Sequence, residues 1–164
     1  MTAKGVAKNE ELASLLAERF GVSDDAPDAP ALVPRDRHRE LAQALKQLGY
    51  TIYVTVVATH YLASAATKTA PADIEHYEVV TALRSPGAGT RLAMWRVRLE
   101  LGEAIATLVP LFAGADWQER EQFDLVGVVF DGHPDLRRLM MPDDWEGHPL
   151  RKDYAIETAC EPWR

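Results

Sequence analysis

Arg91-Leu-Ala-Met-Trp-Arg-Val-Arg-Leu-Glu100 alternates between two kinds of side chain. Ala93, Trp95, Val97 and Leu99 stand on one side; Leu92, Met94, Arg96 and Arg98 stand on the other. Successive side chains of a strand point to opposite faces. The pattern therefore specifies a half-buried antiparallel strand, with the odd-numbered side in the core and the arginines outward. Ser85-Pro-Gly-Ala-Gly89 ahead of it is a turn by composition. His76–Leu83 reads as a neighbouring strand. Tyr50–Thr59, rich in β-branched and aromatic residues, reads as a third.

Helical spacing lies on either side of these strands. Leu41, Ala44, Leu45 and Leu48 form one apolar stripe over residues 36–48. Leu12, Leu15, Leu16 and Phe20 form another over 9–20, where Asn9 stands at the capping position. Residues 22–31, with Pro27, Pro30 and three aspartates, read as a linker, and 62–73 as a loop. Beyond the strands, a helix or helical turn is expected from Glu103 to about Phe112. Another is expected from Asp116 to about Leu125, where Arg120 and Asp124 stand four apart as an ordinary helical ion pair. The class is α+β: N-terminal helices, a small mixed or antiparallel sheet covered by helices, and an extended C-terminal tail. The expected division is an N-terminal helix and linker over 1–33, a core domain over 34–130 and a tail over 131–164.

Composition excludes several functions. A net charge of -7 argues against general nucleic-acid binding, which needs a basic face. The single cysteine, Cys160, cannot supply the thiolates of an iron–sulfur cluster. Ala104–Ala115, the most apolar stretch, is too short to span a membrane and carries Pro110 and Gly114. The N-terminus lacks the apolar core of a signal peptide, so a membrane is expected to be met only through partners.

The tail is the unusual region. It carries Pro134, Pro142, Pro149 and Pro162 and no sustained periodicity, yet it is rich in apolar residues, including Leu136, Met140, Trp145, Leu150 and Tyr154. Such a segment is expected to gain little by folding on itself and to dock on a partner. Asp131-Gly-His-Pro-Asp-Leu-Arg-Arg138 is echoed by Glu146-Gly-His-Pro-Leu-Arg-Lys152. Each copy is a rigid Gly-His-Pro turn followed by a basic pair. The pairs Arg137/Arg138 and Arg151/Lys152 are expected to grip carboxylates of a partner, or Glu119 and Glu121 of the chain itself. His133 and His148, with Asp143, Asp144 or Glu146, match no compact metal-ligand spacing. Glu119, Glu121 and Asp124 lack a nucleophile at a useful distance along the chain, and no phosphate-binding glycine loop is present.

Three blocks carry a family resemblance: Ala115-Asp-Trp-Gln-Glu-Arg-Glu-Gln-Phe-Asp-Leu-Val-Gly127, Phe130-Asp-Gly-His-Pro-Asp-Leu-Arg-Arg138 and Met141-Pro-Asp-Asp-Trp-Glu-Gly-His-Pro-Leu-Arg-Lys-Asp-Tyr154. Together they resemble the C-type subunit of NADH:quinone oxidoreductase, respiratory complex I. Gln118, Phe123, Val126, Ala106-Thr107 and His60 depart from the residues usual in that family. The resemblance implies a non-catalytic structural and assembly subunit that binds no cofactor itself. The parent complex would use NADH, FMN, iron–sulfur clusters and quinone. The implied partners are the large quinone-site subunit and neighbouring iron–sulfur subunits of the hydrophilic arm, at the cytoplasmic face of the membrane. The implied docking residues are Glu119, Arg120, Glu121, Asp124, Gly127, His133, Pro134, Arg137, Arg138, Asp143, Asp144, Trp145, Gly147, His148, Pro149, Arg151, Lys152 and Asp153. The alternative is the equivalent subunit of a related membrane-bound complex, an energy-converting hydrogenase or a deazaflavin-linked dehydrogenase.

Overall fold

The computed structural model describes residues 18–19, 30–67, 71–86 and 91–155. The helix expected over 9–20 lies outside them except for Glu18 and Arg19, which are helical; Cys160 also lies outside. The element order is β1 (Ala31–Leu32), a 3₁₀ turn (Arg35–Arg37), α1 (His38–Gln47), β2 (Ile52–Tyr61), β3 (His76–Arg84), β4 (Leu92–Glu100), β5 (Ala104–Ala106), α2 (Ala115–Val126) and β6 (Val129–Asp131). The main sheet runs β1-β4-β3-β2, and β5 and β6 form a separate parallel pair. The fold is α+β with a mixed sheet, because β1 joins β4 in parallel while the other pairings are antiparallel.

The alternation in β4 has the expected consequence. Ala93, Trp95, Val97 and Leu99 are all 0% exposed. On the other face, Arg96 pairs with Glu78 at 3.0 Å and Arg98 pairs with Asp73. Trp95 also joins the sheet to α1, since its indole N–H donates to Nδ1 of His38 at 3.0 Å. Burial lowers the His38 pKa to about 3, so the ring stays neutral and can accept that bond. A register shift between Tyr53 and Thr55 marks a bulge in β2, after which Val56, Ala58 and His60 face the core.

β2 is the long edge strand of the sheet, opposite the two-residue β1, and an edge with free amides invites unwanted pairing. Helix α2 closes it with two glutamines one turn apart. The Val56 N–H donates to Gln118 Oε1 at 3.1 Å, and the Ala58 N–H donates to Gln122 Oε1 at 2.9 Å. Side chains thus replace the missing fifth strand and fix α2 against the sheet.

Three expectations need correction. Ala31 and Leu32, at the end of the presumed linker, form the fourth strand, and Val33 continues it by donating to Arg96 O at 2.8 Å. Two residues are too few to show a period. The segment 103–112 is not a helix throughout: it opens as β5, with Ile105 opposite Phe130, and makes only a single turn from Leu108 to Phe112. Leu48 is 45% exposed rather than part of the α1 stripe, because the helix ends at Gln47 and the chain turns away.

Candidate functional site

Helix α2 is the member on which the tail is fastened. The two Gly-His-Pro copies grip opposite ends of it. In the first, His133 Nδ1 accepts the Asp135 N–H at 3.1 Å, so its Nε2–H donates to the Asp116 carbonyl at 3.2 Å in the first turn. In the second, His148 Nδ1–H donates to the Asp124 carbonyl at 2.9 Å near the last turn. Both glycines hold positive φ, 76° at Gly132 and 80° at Gly147, which a side chain would resist. Pro134 is exposed and Pro149 half-buried behind these turns.

Asp124 makes the tightest attachment. Its Oδ2 accepts the N–H groups of Leu139, Met140 and Met141 at 2.9, 2.6 and 2.8 Å. Its Oδ1 accepts from Arg138 Nη1 at 2.7 Å. Arg138 continues through Nη2 to the carbonyls of Trp145 and Gly147 at 2.8 and 3.1 Å. Burial acts to raise the Asp124 pKa, but these donors outweigh it and hold the carboxyl at about 2. The carboxylate is therefore fully charged at neutral pH and organises four donors from one irregular loop.

Arg120 does not pair with Asp124. Its guanidinium donates to the carbonyls of Arg137 and Arg138 at 3.3 and 3.1 Å and lies 5.8 Å from the Trp117 ring centre. Glu119 points the other way, into the core. It accepts from Thr107 Oγ1 at 2.5 Å and the Leu108 N–H at 2.8 Å, tying α2 to the end of β5. Burial lifts its pKa to about 7, against the lowering effect of those two bonds. Glu121 is half-buried on the same helix.

A second polar group holds the far end of the tail. Arg151 grips Asp153 with two bonds, at 2.8 and 2.6 Å, and also donates to the Tyr77 hydroxyl. The Lys152 N–H donates to Nδ1 of His60 at 3.2 Å. That leaves His60 Nε2–H to donate to Glu75 at 2.9 Å. The Lys152 side chain is exposed.

The basic pairs therefore do not reach Glu119 or Glu121. Arg138 is engaged by Asp124 and Arg151 by Asp153, while Arg137 bonds Asp135 at 2.9 Å. Residues 132–154 pack on their own domain to a greater degree than expected, because buried acceptors on α2 and β2 supply hydrogen bonds that the loop cannot make internally. Leu136 packs against the core, while three large apolar side chains remain outside: Met140 is 64% exposed, Trp145 39% and Leu150 61%. Asp143 and Asp144 are exposed as well. Among the described residues, no cluster of three metal-ligating side chains occurs, and no helix is long and apolar enough to cross a membrane.

The sequence did not reveal that His60, Glu75, Tyr77 and Thr107 complete these attachments. One available signal was His60 itself, a polar residue in phase with Val56 and Ala58 on the inward side of β2.

Gly127 gives a direct test of the clamp. It closes α2 at φ 90°, and a Cβ there would lie 2.7 Å from Cδ2 of the His148 ring. That ring is fixed by its bond to Asp124 and sits edge-on to Phe123. Gly127→Ala is expected to cost about 1–3 kcal/mol of stability from strain and displacement together. Urea unfolding measures it; a loss close to zero would show that His148 is free to move.

The family described as respiratory-chain NADH dehydrogenase, 30 Kd subunit, matches residues 31–159. The C-type subunit of NADH-quinone oxidoreductase from Geobacter metallireducens is 36% identical over 156 residues, covering 91% of each chain. NADH-quinone oxidoreductase subunit 5 of Thermus thermophilus is 35% identical over 130 residues, covering 76% of this chain and 60% of its own. The J-type subunit of NAD(P)H-quinone oxidoreductase from a Synechococcus strain is 49% identical over 88 residues, 50% of this chain. That match spans about half of the relative's length, 48%. The solved trypsin-resistant fragment of Nqo5 superimposes with a TM-score of 0.54 at 27% identity, covering 77% of this chain and 95% of the fragment.

Proposed function

This chain belongs to the respiratory-chain NADH dehydrogenase 30 Kd subunit family, and from that premise we propose that it is a structural and assembly subunit of a proton-translocating NADH:quinone oxidoreductase. It docks on the large quinone-site subunit of the hydrophilic arm, beside the iron–sulfur subunits, at the cytoplasmic face of the membrane. It carries no cofactor and no catalytic group of its own. NADH, FMN, iron–sulfur clusters and quinone are handled by other members of the complex.

The observation that carries this reading is the tail. Asp124 and Arg138 hold an irregular loop in one conformation, yet that loop turns Met140, Trp145 and Leu150 to the outside. A loop ordered at the expense of a buried ion pair, with large apolar side chains left outward, suits a surface completed by another protein. The carboxylates most deeply held, Glu119 and Asp124, are occupied in holding backbone groups, which favours a structural over a chemical role.

Two measurements test it. The tagged full-length chain is expected to co-purify with the quinone-site subunit from detergent-solubilised membranes, and failure to do so rejects the assignment. Metal analysis and the absorption spectrum of the purified chain are expected to show no stoichiometric metal, flavin or cluster. Finding one overturns the cofactor-free role.

A further inference from the structure

Residues 139–150 are tied down along their length. Asp124 takes the amides of Leu139, Met140 and Met141, Arg138 holds the carbonyls of Trp145 and Gly147, and the Leu150 N–H donates to Leu125 O at 2.8 Å. Met140, Trp145 and Leu150 are thus presented from a fixed frame while exposed. A backbone already held in place loses little freedom on binding, which favours association.

The charges on this surface have one sign. Between Leu139 and Leu150 the ionised side chains are Asp143, Asp144 and Glu146, all exposed, and the stretch contains no Lys or Arg. The nearest arginines are engaged within the chain: Arg137 by Asp135, Arg138 by Asp124 and Arg151 by Asp153. Lys152 is exposed just beyond the stretch. Three acids around an aromatic anchor disfavour an anionic lipid surface, and they disfavour a second copy laid face to face.

We propose that residues 139–150 form an acidic, aromatic docking surface for a protein partner that presents apolar sockets ringed by Lys and Arg. The proposal rests on the reading of this chain as a subunit of a larger complex and names the chemistry of that contact. Recognition is carried by Met140, Trp145, Leu150 and the three acids. Arg138 and Arg151, one from each basic pair, build the frame from inside.

The test replaces the native gene by a tagged full-length version in its own host and recovers the NADH:quinone oxidoreductase through the tag. Asp143→Lys, Asp144→Lys and Glu146→Lys together are expected to lower recovery about tenfold at ~50 mM salt. Trp145→Ala is expected to lower it at every salt concentration, and Arg39→Ala, at an exposed position on α1, to leave it unchanged. With the wild-type chain, recovery is expected to fall as salt is raised towards ~500 mM, a readout that needs no variant to fold. Wild-type recovery without any effect of charge reversal or salt overturns this proposal alone. No recovery of the complex by the wild-type chain overturns the reading beneath it. Binding of the wild-type chain to vesicles of phosphatidylcholine and phosphatidylglycerol, or a dimer abolished by Trp145→Ala, would assign the surface to lipid or to a second copy and overturn the proposal.

Discussion

Asp124→Ala is expected to destabilise the isolated chain by about 3–5 kcal/mol, the usual cost of removing one member of a buried ion pair. The side chain is fully buried, and its loss leaves Arg138 without its carboxylate and three amides without their acceptor. A water molecule could serve one of those donors, but not all four in the same geometry. The damage should concentrate in the tail. Trypsin should cut the variant faster after Arg137, Arg138 and Arg151, while α1 and the sheet persist. Asp124→Asn is expected to fail as well, because its amide nitrogen must face either the arginine or the three N–H groups. The pH dependence has a defined sign. The Asp124 pKa is lowered in the fold from 3.8 to about 2, so its contribution is present above 3.8 and lost as pH falls through 2. Urea unfolding of the Ala variant within about 1 kcal/mol of wild type would sink the claim that this carboxylate fastens the tail.

Glu119 has the opposite slope. Burial raises its pKa from 4.5 to about 7, and the Thr107 and Leu108 bonds only partly offset that. A carboxyl raised in the fold contributes stability that is full below 4.5 and is lost as pH rises through 7. The loss over that window is about 3 kcal/mol at 1.36 kcal/mol per unit. Glu119→Gln copies the protonated acid: its oxygen accepts the Leu108 N–H and its amide donates to Thr107 Oγ1. The variant is therefore expected to match wild type near pH 4.5 and to exceed it by about 2–3 kcal/mol at pH 8. Unfolding curves at the two pH values decide it. Parallel pH profiles for the two proteins would show that Glu119 is ionised in the fold without penalty.

Neither carboxylate announced its role in the linear pattern. Arg120 and Asp124 stand four apart on a helix, and the local rule pairs them. In the folded chain each meets a stronger partner. Asp124 is reached by Arg138 and three amides, and Arg120 by the carbonyls that Arg137 and Arg138 leave free. A surface pair one turn apart contributes a few tenths of a kcal/mol and yields readily to buried, multiply bonded contacts. The packing of the tail on its own domain is illegible in the sequence for a related reason. Hydrogen bonds from an irregular loop to a distant helix leave no period, so the loop's apolar content alone suggested that it needed a partner to fold.

The sequence by itself determined which face of the sheet is buried, because a period of two admits only one assignment of Trp95, Val97 and Leu99 inward and Arg96 and Arg98 outward. It also determined the inward side of α1 at Leu41, Ala44 and Leu45, and it carried the signature over residues 115–154 that marks the family. Tertiary structure alone decided three things. It recruited Ala31 and Leu32 as a fourth strand, since two residues hold too little pattern to pair without β4 beside them. It placed Gln118 and Gln122 against the amides of the sheet edge. It also turned the two Gly-His-Pro copies into clamps on opposite ends of one helix, because their acceptors, the carbonyls of Asp116 and Asp124, come within reach only when the chain has folded back.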